Sequence, residues 1–402
     1  MKNSNPLLSI IVPMYNSEKT ISQCIDSILN QDIDDFELIL VDNASLDNTL
    51  RICEDYSKED KRITIIQLSY NGGANAARKA GVRAAKAELI GFVDSDDWIE
   101  SSMYGTLINI QKENQCDLVS SGMYRDDEIC GFHIELLDNF EQGIYSNLPE
   151  NIYKTMLFDD KNNDFGIYGT LCNKLFIRKI LLSIYDEIDM RVFYGEDCLV
   201  LYSYIMKISS IYILRKSFYH YNIHVNSVCT TADEKLSINA YYLYRGLEKV
   251  FVSSDKYKYV LLRQLKKYIL NIELHTIEQL YGISRFTLGT YKYNYQTLEN
   301  KNVIIYGAGN SSESLYKYLT NKCHCKIAAW VDKYPEGKNI KVLHDVISIE
   351  CISTIKYDYI VIAALKESLA DSIRNELINL YDIDEEKIIW NKVEYYSLLN
   401  KL

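Results

Sequence analysis

No stretch of about 18 consecutive apolar residues occurs in this sequence, so no membrane-spanning helix is expected. Met1 to Pro6 is polar and lacks the apolar centre of an export signal. Ten cysteines occur without a repeated spacing and read as reduced thiols of a cytoplasmic protein. Cys323-His324-Cys325 has no second pair nearby and reads as a structural loop rather than a zinc site. Basic residues are also short. The chain has 44 Lys and Arg against 55 Asp and Glu, a net charge of −11. That balance excludes a broad nucleic-acid footprint. It leaves room for an anionic substrate held by a local cation or a metal. Only four prolines occur beside 34 tyrosines, which reads as base bias in the gene more than as sugar-stacking surface. At 402 residues the chain is too long for one ordinary core, so two or three domains are expected.

Residues 7–13 form a short apolar run rich in β-branched side chains, the pattern of a buried parallel strand stopped by Pro13. Ile21, Ile25, Ile28 and Leu29 then recur on one helical face. Strands are expected at 36–41, 63–68 and 89–93, with helices at 47–56 and 74–87. This alternation predicts a parallel sheet with helices on both faces. Ligands bind outside the carboxyl ends of such strands. Pro13, Asp42, Asn71 and Asp94 all follow strand ends and should converge on one crevice. Residues 100–230 are less regular, and 234–285 carry helical spacing without proline.

Asp94-Ser95-Asp96-Asp97 closes the fourth strand. Carboxylates two residues apart can lie on one side and hold a hard divalent ion. Alone, the group also reads as a helix cap, and Asp97 needs no other role. Transfer of a group from a nucleotide diphosphate needs a cation for the leaving diphosphate and a base for the acceptor hydroxyl.

Four ordered blocks give these acids a context: Ser9-Ile-Ile-Val-Pro-Met-Tyr-Asn16, Val41-Asp-Asn-Ala-Ser-Leu-Asp-Asn-Thr49, Asn71-Gly-Gly-Ala-Asn-Ala-Ala-Arg78 and Phe92-Val-Asp-Ser-Asp-Asp-Trp98. Weaker blocks follow at Cys172-Asn-Lys-Leu-Phe176, Gly195-Glu-Asp197 and Tyr219-His-Tyr-Asn222 with Asn226-Ser227. In these stretches the chain resembles the family 2 glycosyltransferases. The resemblance implies an α/β GT-A nucleotide-diphospho-sugar transferase fold over residues 1–230. It places Pro13 and Tyr15 at the base, Asp42 on the uracil ring and hence a UDP-sugar donor. Arg78, Ser95 and Lys174 would lie near the nucleotide sugar. Asp94 would meet the ribose, Asp96 would hold Mn²⁺ or Mg²⁺, and Asp197 would be the base of an inverting transfer. His224 is a candidate further metal ligand, with His220 near it in the same segment. Asn43 departs from the family's commoner second Asp, and Lys79 from its usual Asn. The implied acceptor is a hydroxyl of a surface-glycan precursor or of a protein such as flagellin, and the implied sugar a hexose or N-acetylhexosamine.

After a helical segment at 231–298, residues 299–402 read as a smaller Rossmann-like α/β domain. Val303-Ile-Ile-Tyr306 is a strand and Gly307-Ala-Gly309 a tight turn, an incomplete G-x-G-x-x-G. Asp332 ends the next strand, where a ribose-binding acid would stand. Gly307, Gly309 and Asp332 are therefore candidate nucleotide contacts, beside a structural role or homodimer formation. About 100 residues leave little room for an NAD-dependent catalyst. Two rival functions remain at this level: a degenerate nucleotide-sugar-binding regulator and a nucleotidyltransferase. Asp94, Asp96 and Asp197 are intact, which counts against the first. Pro13-Met-Tyr-Asn16 replaces the Gly-rich loop that the second needs. No nucleic-acid partner is expected, and peripheral membrane contact stays open.

Overall fold

The computed structural model describes residues 5–127, 132–159, 164–223, 235–281, 290–308, 312–333, 346–365 and 367–396. The chain divides into two compact units, Met1–Thr276 and Ile277–Leu402. The helical segment expected at 231–298 is shared between them.

In the first unit β1 (Leu8–Met14), α1 (Ile21–Leu29), β2 (Phe36–Asp42), α2 (Thr49–Glu59), β3 (Ile63–Gln67), α3 (Ala74–Ala84) and β4 (Leu89–Phe92) alternate as the apolar runs predict. These four strands pair in parallel in the order β3-β2-β1-β4. Every residue of β1 and β2 is buried, which is why both read as continuous apolar runs. Pro13 does not stop β1. The strand continues to Met14, pairing with β2, while β4 has already ended beside Ile11. The missing N–H of Pro13 therefore falls where no neighbour needs it.

The rest of the unit departs from the all-parallel expectation. It comprises β5 (Trp98–Ile99), α4 (Met103–Asn114), β6 (Leu118–Asp127), β7 (Phe132–Leu136), β8 (Gly143–Ser146), α5 (Glu150–Thr155), β9 (Lys174–Ile177), α6 (Arg178–Tyr185), α7 (Glu196–Ile205), β10 (Ser210–Ile223), α8 (Leu236–Phe251) and α9 (Lys258–Tyr281). The sheet continues as β4-β9-β6-β10-β5, with β9 antiparallel to both its neighbours. β7 and β8 add to β6 and β10. Leu243, Leu247 and Phe251 of α8 and Leu261 and Leu265 of α9 enter the same core as β1 and β2.

The second unit contains β11 (Thr290–Lys292), β12 (Asn302–Tyr306), α10 (Ser312–Asn321), β13 (Lys326–Asp332), β14 (Val346–Ser348), β15 (Tyr359–Ile362), α11 (Glu367–Tyr381), β16 (Ile388–Ile389) and β17 (Glu394–Tyr396). Its main sheet is parallel, ordered β14-β13-β12-β15-β16. Ile304 and Tyr306 pack with Ala370, Ile373 and Leu377 of α11, whereas Val303 and Ile305 pack with Leu315 and Leu319 of α10. Strand alternation thus covers both faces with helices. Among the described residues no helix is long and apolar enough to cross a membrane.

One close approach in the first unit sets the position of α3. A Cβ on Gly81 would lie 2.4 Å from Ile11 Cγ2 on β1. Only hydrogen at that position lets the helix lie flat on the strand. Gly81→Ala should lower stability by about 1–3 kcal/mol through overpacking, read as a lower thermal midpoint of the first unit's unfolding.

Candidate functional site

The loops that leave β1 to β4 are tied to one another. Asn16 and Ala44 both adopt left-handed backbone, with φ of 52° and 62°. The Asn16 N–H donates to Ser45 Oγ, and its side-chain oxygen accepts from the Leu46 N–H at 2.8 Å. Ser17 N–H donates to Thr49 Oγ1, and Glu18 N–H to Asp47. Asn43 donates to Asn71 Oδ1 at 2.9 Å and accepts from the Gly72 N–H at 3.0 Å. An aspartate could not make the first of these bonds, which accounts for the amide at this position. Ser17 and Ser95 share a hydroxyl hydrogen bond of 2.7 Å, joining the loop after β1 to the acidic loop after β4. β1 and β4 are neighbours at the point where the parallel strand order reverses, the usual place for a ligand crevice.

The centre of the site is Arg78. It lies on the buried face of α3 with Asn75 and Val82, at helical spacing. Its side chain is 3% exposed. Nη2 meets Asp94 Oδ1 at 2.8 Å, and Nη1 meets Asp197 Oδ1 at 2.6 Å and Glu196 Oε1 at 3.3 Å. One cation therefore serves three carboxylates from two distant parts of the chain. Burial pushes the Asp197 carboxyl up to about 7; Arg78 opposes this, and Glu196 and Asp94 add to it. Glu196 is raised by burial too, against the pull of Arg78. A single positive charge cannot hold all three groups ionised cheaply, so the cluster keeps a proton longer than a free carboxylate. Asp197 remains 20% exposed in its side chain.

The acidic loop is fixed from behind. Cys172 Sγ stands 3.1 Å from Asp94 Oδ2. Burial and the Asp94 charge push its thiol well up, so it stays an S–H donor. Tyr219 on β10 accepts from the Asp94 N–H and donates to Asp97 Oδ2 at 2.5 Å. Asp97 Oδ1 accepts from the Asn222 N–H at 2.8 Å, and the Asn222 side chain donates to the Asp96 carbonyl. Asp97 is thus no helix cap: α4 begins only at Met103. It is a buried latch onto β10, its carboxyl driven well up by burial and by Asp96 and Asp94. Asp96 is the exposed member of the group.

Asp197 stands at the start of α7, where the helix dipole favours acids. The preceding Gly195 has φ 75°, and a Cβ there would lie 2.8 Å from Leu243. Asn239, fully buried on α8, accepts from the Phe193 and Tyr194 N–H groups and donates to the Tyr194 carbonyl. α8 therefore shapes the loop that delivers Asp197. Asn239 was missed from sequence, although a lone amide among Leu236, Ala240 and Leu243 on the apolar face of α8 was a signal.

Other candidates take different positions. Tyr15 is 42% exposed at the crevice, and Pro13 is buried in β1. Asp42 is wholly buried, its carboxylate accepting from the Ser45 N–H at 3.2 Å. Lys174 is also wholly buried and donates to the Tyr168 carbonyl and Asn173 Oδ1 at 2.9 and 2.8 Å. Burial pulls its ammonium down, partly offset by Asp138. It braces β9 rather than facing a phosphate. His224 and Gly309 lie outside the described residues. In the second unit Gly307 has φ 106°, and the Ala308 N–H donates to Asp332 Oδ2 at 2.7 Å. Asp332 is buried and ties this turn to the end of β13.

The family model described as glycosyl transferase family 2 matches residues 9–182, and that described as C2185-like, N-terminal matches 299–389. The uncharacterized glycosyltransferase EpsJ of Bacillus subtilis (strain 168) is 48% identical over 120 residues, covering 30% of this chain and 35% of EpsJ. The putative glycosyltransferase EpsH of the same organism is 30% identical over 241 residues, covering 60% of this chain and 67% of EpsH. The match thus spans about a third of the first relative and two thirds of the second. The crystal structure of S. aureus TarS 1-349 in complex with UDP superposes with a TM-score of 0.51 at 21% identity, over 72% of this chain and 76% of that one. That likeness shows a shared fold.

Replacing Arg78 by Met should leave three partly buried acids without a counter-charge and destabilise the first unit by about 3–5 kcal/mol near neutral pH. The pKa values of the Asp197 and Glu196 carboxyls, already raised by burial, would rise further. The variant's stability should then be greatest at low pH and fall as pH rises through those values. Thermal unfolding of both proteins between about pH 5 and pH 8 checks this: the gap should narrow toward acid.

Proposed function

The chain belongs to glycosyl transferase family 2, and from that membership we propose that it moves a sugar from a UDP-sugar to an acceptor hydroxyl with inversion at the anomeric carbon. The observation that carries the reading is the ion-pair cluster of Arg78, which gathers Asp94 and Asp197 at the mouth of the sheet crevice. Asp197 is the base. It combines partial exposure with a carboxyl raised toward neutrality, the property a base working near pH 7 needs. The acceptor oxygen attacks the anomeric carbon, and its proton passes to Asp197. The bond to the diphosphate oxygen breaks, and its electron pair leaves with UDP.

Asp96 presents a hard oxygen ligand on a turn whose backbone is anchored through Asn222 and Asp97, which fits Mn²⁺ or Mg²⁺. Such an ion, when bound, supplies positive charge to the departing diphosphate. Asp94, already held by Arg78 and Cys172, is oriented for a ribose hydroxyl. Tyr15 offers an exposed ring to the base beside Pro13. TarS, which shares the fold, was solved with UDP, and that supports a uridine donor. Asp42 is proposed as the uracil contact: its carboxylate accepts from the Ser45 N–H and keeps lone pairs for a second donor. The acceptor is proposed as a hydroxyl of a glycan precursor or a protein, and the sugar as a hexose or N-acetylhexosamine.

Two measurements test this reading. With a panel of UDP-, GDP- and CMP-sugars, release of nucleotide should occur from UDP-sugars, and UDP with Mn²⁺ should raise the melting temperature more than CDP or GDP does. A larger shift with GDP or CDP overturns the uridine assignment. Transfer should also rise with pH through about 7, as the cluster loses its proton. Asp197→Asn should lower kcat by about 10²–10⁴-fold and abolish that limb. Full activity in this variant removes Asp197 from the role of base.

A further inference from the structure

A second group of ligating side chains lies outside the Arg78 cluster. Asp126 on β6, His133 on β7 and His220 on β10 place one potential ligand atom each within 4.8 Å of the others. The strand pairing produces this meeting. Asp126 is directly opposite His133 in the antiparallel β6–β7 pair. His220 is opposite Tyr124, two residues from Asp126 and so on the same face of β6. Asp126 Oδ2 lies 2.8 Å from His220 Nδ1, and Oδ1 lies 2.5 Å from His133 Nδ1. One carboxylate therefore faces two imidazoles.

The rings are held before any ligand arrives. Trp98 stacks on His220 with centroids 3.5 Å apart and planes 10° from parallel. Tyr124 stacks on His133 at 4.5 Å. Such support lowers the ordering needed for coordination.

The other nitrogen of His220 supplies an independent observation. The His220 side chain is 8% exposed, and its buried Nε2 has no hydrogen-bond partner. Glu100 Oε1 stands 3.8 Å away. With the proton on Nδ1, facing Asp126, Nε2 is a bare acceptor next to a carboxylate. That arrangement leaves Nε2 unsatisfied. A cation on Nδ1 reverses it: the proton moves to Nε2, which then points an N–H toward Glu100. A ligating histidine that gives its second N–H to a carboxylate is the usual arrangement at zinc.

We propose that Asp126, His133 and His220 form a binding site for a divalent transition metal, Zn²⁺ foremost, with Glu100 as the outer partner of His220. Two imidazoles and one carboxylate suit Zn²⁺, whereas Mg²⁺ and Mn²⁺ prefer oxygen. The site is therefore chemically separate from the oxygen ligand at Asp96. Its ligands tie the β6–β7 hairpin to β10, on which Tyr219 and Asn222 latch the acidic loop. The metal would brace that strand and take no part in the transfer itself.

The test uses the full chain, stripped with a chelator and then dialysed against Zn²⁺ in a buffer containing excess Mg²⁺. One Zn²⁺ per chain should be retained, and Co²⁺ should give a visible spectrum of nitrogen-and-oxygen ligation. His133 is 60% exposed, so His133→Ala leaves the core intact; it should weaken Zn²⁺ binding by at least about tenfold. Glu100→Gln should weaken it by about 10–100-fold. Asp96→Asn should leave Zn²⁺ retention unchanged, which separates this site from the sugar-transfer reading. No retained Zn²⁺, retention undiminished in His133→Ala, or loss in Asp96→Asn each overturns the assignment and leaves Asp126 as a hydrogen-bond acceptor for two histidines.

Discussion

A guanidinium buried among three carboxylates is the constraint around which the first unit is organised. Arg78 can be desolvated only because Asp94, Glu196 and Asp197 surround it, and those acids can be gathered only because Arg78 is there. The four residues arrive on three elements: Asp94 after the end of β4, Glu196 and Asp197 at the start of α7, and Arg78 on the buried face of α3. Their meeting requires that α3 lie close on β1, and Gly81 permits that contact. It also requires the loop before α7 to hold its shape, which Gly195 and Asn239 secure. Packing, backbone freedom and charge thus converge on one side chain.

Labour is also divided among acids that look equivalent in sequence. Asp97 is spent on holding β10, and Asp94 is oriented by Arg78 and Cys172. Asp96 is left at the surface of the turn, and Asp197 is partly exposed with a raised carboxyl. Burial, more than residue type, separates these roles. The second unit repeats the logic more simply: Asp332 gives its carboxylate to the backbone of the Gly307 turn.

The parallel strands were legible because each is buried on both faces and so reads as an unbroken β-branched run. The region after residue 100 was not. β9 has four residues, and β10 changes register between Ile213 and Ser217 and again before Tyr219. Such bulges erase the two-residue period on which strand reading depends. Asp94, Asp96 and Asp197 were legible as strand-end or helix-start acids in familiar blocks. The tasks of Arg78 and Lys174 were not, because burial cannot be read from the residue alone. Arg78 finds Asp197 across 119 positions of sequence, and Lys174 turns inward to a neighbouring carbonyl. The cluster of Asp126, His133 and His220 depends on the pairing of β6 with both β7 and β10, which no local spacing announces.

The latch between Asp97 and β10 also bears on how the protein reaches its working state. The acidic loop leaves β4 early in the chain, yet its stabilising partners Tyr219 and Asn222 arrive more than a hundred residues later. During synthesis the four parallel strands can assemble while this loop is still unanchored, with a carboxylate awaiting partners from strand ten. Contacts of such sequence separation form late. Anchoring of this loop, and with it the proposed donor binding, should then be among the last events of folding and a marker of completed assembly.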